Sequence, residues 1–226
     1  MVKSHSHALI LFARDPVPGQ VKTRLHPFLD TETIYRLYLC FLKDSIDKIC
    51  SVEETGLFIG LYPSNLSGYF DRLKTDRPVE IFNQQGKDLG EKMKNAFSRM
   101  QEDGYERTVI VGSDSPSLPV NYIQLALNSG KDLVLGPSSD GGYYLIGMGR
   151  KRVDVFAGVA WGTENVLKET LDRARKQECE TQILPLWYDV DTPEDLKFLQ
   201  THLEWVEHSG AGETGASGDF LSKLVL

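Results

Sequence analysis

The sequence predicts an α/β fold, a three-layer α/β/α sandwich with a mostly parallel sheet. Short continuous apolar runs alternate with stretches of helical apolar spacing, the pattern of strands covered on both faces by crossover helices. Acid- and glycine-bearing loops leave several of these runs, and in an open α/β sheet ligands collect outside the carboxyl ends of the strands. At 226 residues the chain is long enough to bury one sizeable core.

Residues 8–13 form the opening apolar run, ended by a loop with Pro16, Pro18 and Gly19. Over residues 31–50, Ile34, Leu37, Tyr38, Phe41, Leu42, Ile46 and Ile49 recur at helical spacing, with Asp30 or Thr31 as the cap. Residues 56–61 and 79–82 read as strands. Leu89, Met93, Ala96, Phe97 and Met100 mark a second amphipathic helix, whose methionines read as core packing. Residues 109–111 and 132–135 continue the alternation around a helix over 120–128, and 143–148 reads as another strand. A helix follows over 165–176. The stretch 183–188 leads into Asp189-Val190-Asp191-Thr192-Pro193, where Thr192 suits an N-cap and Pro193 the first helical position. The final helix carries Leu196, Leu199, Leu203 and Val206 on one face. Residues 1–208 are expected to form a single domain. Residues 209–226 read as a flexible Gly/Ser-rich tail whose apolar end, from Phe220 onward, can dock on the body or on a second copy, so a homodimer is one expectation.

The formal charge of -7 leaves no broad basic surface for nucleic acid or anionic lipid, so the expected partner is a small molecule. No apolar run approaches the roughly 18 residues of a membrane span. Cys40, Cys50 and Cys179 lack metal-binding spacing, and with no secretory signal pattern a cytoplasmic protein with reduced thiols is expected.

Four stretches carry chemistry. Gly112-Ser113-Asp114-Ser115-Pro116 strands a carboxylate at a strand end, where it can hold a metal and its polyphosphate; an Asp opening a turn can equally bond only its own backbone. After the first strand, Gly19 permits close backbone approach while Lys22 and Arg24 supply cations where phosphates lie in such sheets, the alternative being a solvated basic loop. This is neither a P-loop nor a dinucleotide fingerprint. Gln85 and Gly86, between the third strand and the second helix, suit a nucleobase edge and an anion, or form a polar turn capped by Asp88. Asp140, Gly141, Gly142 and Tyr143 read as a substrate-contacting loop, although a tight turn also explains the glycines. Finally, of the two acids Asp189 and Asp191 in the extended stretch before the last helix, one is expected to face the cleft. With Thr192 as cap Asp191 is free for a metal, unless Asp191 is itself the cap.

Together these stretches resemble the nucleotide-diphospho-sugar transferase superfamily with the GT-A fold, across nearly everything from Ala8 to Leu203. The PVPGQVKTRL, QQGKDLGEKM, GSDSP, GPSSDGGYYLIG, GVAWGTENV and DVDTPEDL stretches are similar to those of a bacterial glycosyltransferase-like family. Lys22-Thr23-Arg24-Leu25 resembles the Lys-x-Arg-Leu loop of phospholactate guanylyltransferases, and Asp114-Ser115-Pro116 the acid-then-proline turn of molybdenum-cofactor nucleotidyltransferases. Two departures stand out: Ser115 and Pro116 replace the second acid of the glycosyltransferase Asp-x-Asp motif, and a Pro-Val-Pro-Gly loop replaces the glycine-rich loop of nucleotidyltransferases. The resemblance implies a transferase that holds Mg²⁺ or Mn²⁺ through Asp114 and Asp191 and a nucleotide (NTP or nucleotide sugar) through Gly19, Lys22, Arg24, Gln85 and Gly86. It implies a small-molecule acceptor near Asp140, Gly141, Gly142, Tyr143 and Trp161, with Lys22, Arg24 and Asp114 as catalytic residues. Nucleotidyl transfer from an NTP to a small phosphorylated acceptor is the first expectation. Glycosyl transfer from a nucleotide sugar is the second, and a nucleotide-binding module without catalysis the third.

Overall fold

The computed structural model describes residues 5–73, 75, 77–151, 153–210 and 212–225. In chain order the elements are β1 (His7–Arg14), α1 (Thr31–Ser51), β2 (Thr55–Tyr62), β3 (Val79–Asn83), α2 (Leu89–Glu102), β4 (Arg107–Gly112), α3 (Val120–Leu127), β5 (Leu133–Pro137), β6 (Tyr143–Met148), α4 (Val166–Lys176), β7 (Thr181–Ile183), α5 (Pro193–Ser209) and α6 (Gly215–Leu221). Short 3-10 turns cover Thr23–Leu25 and Phe70–Arg72.

The strands form one seven-stranded sheet in the order β3-β2-β1-β4-β6-β5-β7. β6 runs antiparallel to both β4 and β5, and every other pairing is parallel. Strand alternation splits β1 between two cores: Leu9, Leu11 and Ala13 pack with α1 and α5, while Ala8, Ile10 and Phe12 pack with α2. The sheet is therefore the middle of three layers, as expected from its continuous apolar runs.

Helix starts follow the capping chemistry of the sequence. Asp30 accepts from Thr33 N at 2.9 Å at the start of α1, and Asp88 accepts from Glu91 N at 2.8 Å at the start of α2. α5 opens on a reciprocal capping box between Thr192 and Asp195, with Pro193 at its first position. Thr192, not Asp191, is the cap.

The segment expected to be a flexible tail is folded over Gly215–Leu221. Asp44 of α1 accepts from Ala216 N (2.7 Å) and Ser217 N (2.9 Å), and Leu221 is 1% exposed. A buried carboxylate on a neighbouring helix supplies the N-terminal partner that the Gly/Ser composition cannot supply itself. Among the described residues no helix is long and apolar enough to cross a membrane.

Candidate active site

The direction of chain growth across the sheet reverses at β1, whose neighbours are β2 and β4, and that reversal opens a crevice beyond the strand ends. Phe12 pairs with Gly112, so the loops that leave β1 and β4 emerge side by side. A cleft of about 730 Å³ lies there. At its centre the loop after β1 turns at Lys22, in the left-handed region (φ 47°, ψ 42°). For a residue with a side chain this is a strained conformation costing about 1–3 kcal/mol. The 3-10 turn that follows buries Leu25 completely, which anchors the loop and turns Lys22 inward.

The Lys22 ammonium lies 2.5 Å from Asp114 Oδ1 and 2.9 Å from Asp191 Oδ1. Arg24 Nη1 approaches Asp191 Oδ2 at 3.8 Å from the solvent side. Burial pulls the Lys22 pKa down, but the two carboxylates outweigh it and hold the ammonium above its ordinary value. Burial likewise pushes Asp191 up, yet Lys22 and Arg24 together hold it below the usual carboxylate range. Asp114 is held through its backbone as well, because its carbonyl accepts from Val190 N at 2.9 Å.

Two residues from Asp191, the half-buried Asp189 also lines the cleft. It accepts from Ser115 Oγ and, at 2.9 Å, from Ser138 Oγ, tying the loop after β4 to the loop after β5. Burial is the main reason its carboxyl is pushed up to about 6. The chain reading of one acid facing the cleft needs correction, since Asp189 and Asp191 both line it. Residues two apart on an extended backbone lie on the same side, so strand alternation itself turns both acids toward the cleft.

On the far wall Tyr143 and Trp161 meet edge to face, ring centroids 6.5 Å apart. The Tyr143 hydroxyl is buried beside Thr170 of α4. Gly90 of α2 packs so closely on Trp161 that an added Cβ would stand 2.5 Å from the ring. Asp140 is exposed at the rim and accepts from Gly142 N at 2.9 Å.

Of the residues singled out in the sequence, Lys22, Arg24, Asp114, Asp191, Asp140, Gly142, Tyr143 and Trp161 line this one cleft. Gly19, Gln85, Gly86 and Gly141 do not. Gly86 adopts φ 142° against the backbone of Glu91 and Lys92, and Gly141 adopts φ 88° against the backbone of Glu164, so both serve the chain path. Gln85 is exposed, its carbonyl accepting from Asn95, while Gln84 reaches the cleft. The site residues named from sequence leave out Gln84, Arg14 and Lys92, and of the two neighbouring acids they take Asp191 and not Asp189. The pairing of Asp189 with Ser115 and Ser138 joins three stretches, each singled out for other residues.

Asp114 and Asp191 converge on one cationic point, the Lys22 ammonium, and each keeps a second carboxylate oxygen. Among the described residues no group of three or more potential ligands forms a protein cage. The pair fits a hard divalent cation that completes its shell with phosphate and water oxygens.

The sequence profile of a bacterial family, described as uncharacterized proteins conserved in bacteria (DUF2064), matches residues 51–163. No curated protein matches the chain. A protein of Desulfovibrio desulfuricans G20, provisionally assigned as a nucleotide-diphospho-sugar transferase, superposes with a TM-score of 0.88 at 33% identity, over 97% of this chain and 95% of that one. The 4-diphosphocytidyl-2C-methyl-D-erythritol synthase of Anaerococcus prevotii gives 0.59 at 12% identity, over 89% and 97%. A cytidylyltransferase of Leptospira borgpetersenii gives 0.55 at 12% identity, over 98% and 99%. The last two share the fold. Fold and cleft define a transferase of the nucleotide-diphospho-sugar transferase type. Within that class the chain belongs to the bacterial family DUF2064, matched over residues 51–163.

Proposed function

We propose that the protein transfers a nucleotidyl group from an NTP to a small phosphorylated acceptor, with Mg²⁺ or Mn²⁺ held by Asp114 and Asp191. The observation that carries this reading is the convergence of Lys22, Arg24, Asp114 and Asp191 on one point, with no second acid after Asp114. Where a sugar-transfer Asp-x-Asp motif would place that acid stands Pro116, and the intervening Ser115 commits its hydroxyl to Asp189. Arg24 is largely exposed beside Asp191 and is free to grip phosphate oxygens, while Lys22 stabilises negative charge as it builds on the leaving group. A divalent cation in this site supplies charge neutralisation and Lewis acidity toward the phosphoryl oxygens. Asp140, Tyr143 and Trp161 border the space for the acceptor. In the reaction an acceptor oxygen attacks the α-phosphorus, the bond to the bridging oxygen breaks, and pyrophosphate leaves; a phosphate acceptor needs no base. The supply of NTP assigns the work to the cytoplasm.

One feature favours glycosyl transfer as a second reading: the Trp161 and Tyr143 rings form an aromatic wall suited to the face of a sugar. Thermal unfolding tests the site common to both. NTP with Mg²⁺ or Mn²⁺ is expected to stabilise the fold more than either alone, by about 2.7 kcal/mol at 100-fold excess over Kd. Unchanged unfolding with all four NTPs and common nucleotide sugars, metal present, contradicts both readings.

A further inference from the structure

A triphosphate brings several negative charges into the cleft, and the Lys22 cluster does not balance them. Its two cations, Lys22 and Arg24, already face two carboxylates, Asp114 and Asp191. Two further cations line the same cleft, and among the described residues neither forms an ion pair. Arg14 ends β1 beside its register partner Tyr62 on β2. The Tyr38 hydroxyl bridges the Arg14 N–H and carbonyl, both at 3.0 Å, which fixes that strand end. Lys92, near the start of α2, is only 9% exposed and lays its ammonium 3.1 Å from the centroid of the Tyr62 ring. The aromatic face supplies part of the missing counter-charge. Burial, and then the neighbouring Arg14, still push the Lys92 pKa below its ordinary value. A nearly buried ammonium beside a second cation, open to a cleft, calls for an anion.

We propose that Lys92, seated on the Tyr62 ring, and Arg14, the register partner of Tyr62, form a second phosphate-binding subsite of the cleft, separate from Lys22 and Arg24. It takes a phosphate of the donor or of the acceptor. This deepens the nucleotidyl-transfer reading and rests on it for the class of substrate.

The test is direct binding, by calorimetry with Mg²⁺ present, of inorganic pyrophosphate, CTP and glucose 1-phosphate to the wild type and to Lys92→Gln, Arg14→Gln and Lys92→Arg. Removing one charge-assisted contact should weaken at least one of these ligands about tenfold in each Gln variant, while Lys92→Arg stays within about threefold of wild type. Loss of pyrophosphate and CTP affinity assigns the subsite to the donor, and loss confined to glucose 1-phosphate assigns it to the acceptor. Wild-type affinity for all three ligands in both Gln variants overturns the subsite, as does failure of the wild type to bind any of them. Should Lys92→Gln not fold, the exposed Arg14→Gln decides alone. Because the readout is binding, weakened phosphate affinity in an enzyme that releases no pyrophosphate from any NTP keeps the subsite and removes nucleotidyl transfer.

Discussion

The ammonium of Lys22 stands 2.5 Å from Asp114 Oδ1, joining the loop after β1 to the loop after β4 across the reversal point of the sheet. The Lys22 side chain is 4% exposed while that of Asp114 is 48% exposed, so the cation is buried and its partner reaches solvent. Replacing Lys22 by Met leaves Asp114 and Asp191 facing each other with only the exposed Arg24, 3.8 Å from Asp191, as counter-charge. Between the values for exposed and buried pairs, the expected loss is about 1–3 kcal/mol, read from chemical denaturation at pH 7.

That loss carries a pH signature. Asp191 is held low, so its contribution is present above its unfolded value of about 3.9 and is lost as pH falls below it. Lys22 is held high, so its contribution is present below its unfolded value of about 10.4 and is lost as pH rises through the folded value. The wild-type advantage over Lys22→Met is therefore expected between those two limits and should shrink outside them. A difference that stays constant down to pH 3 counts against the ion-pair account.

Asp114→Asn separates a metal ligand from a turn former. The backbone bond to Val190 N survives the change, so folding should be retained while metal-dependent nucleotide binding is lost. Calorimetric titration of NTP with and without Mg²⁺ checks this. Intact binding in a destabilised variant would show that the carboxylate serves only the turn.

Asp189 behaves in the opposite sense. Its carboxyl is pushed up to about 6, mainly by burial, so without divalent cation the fold loses stability as pH rises from about 3.9 through 6 and the half-buried group ionises. Asp189→Asn removes that component. The stability of the variant relative to wild type should climb across this window, and a flat difference contradicts the assignment.

The parts of the fold that could be read from the chain are those fixed locally. Residues 8–13 and 109–111 are buried on both faces and read as continuous apolar runs, and α5 announces itself through Thr192, Pro193 and Asp195. The antiparallel setting of β6 between β4 and β5 depends on long-range pairing that local spacing does not encode. For the site, Lys22, Asp114 and Asp191 stand out as charges at strand ends. Lys92 is hidden because it occupies a polar-looking position of α2 and packs against the Tyr62 ring of another element. Gln85 is the residue named from sequence, whereas the neighbouring Gln84 is the one that lines the cleft.

The same limit applies at the C-terminus, where composition reads as tail and tertiary contact makes a helix. Deleting residues 211–226 exposes the surface under Leu221 and leaves buried Asp44 without its backbone donors. Together these changes should cost about 2–5 kcal/mol and lower the melting temperature by roughly 5–15 °C. The truncated chain should still bind nucleotide, since none of the cleft residues lies beyond Asp191. Unchanged stability would show that α6 contributes little, and loss of a dimer on truncation would show that its apolar side also meets a second copy.

The central claim is the bond that breaks, and the leaving group reports it. The enzyme is incubated with Mg²⁺ or Mn²⁺, a panel of sugar phosphates and small alcohols, and either NTPs or nucleotide sugars, and both pyrophosphate and nucleoside diphosphate are assayed. Acceptor-dependent pyrophosphate release from an NTP, abolished in Asp114→Asn, is the predicted result. Nucleoside diphosphate released from a nucleotide sugar, with no pyrophosphate from any NTP, contradicts it.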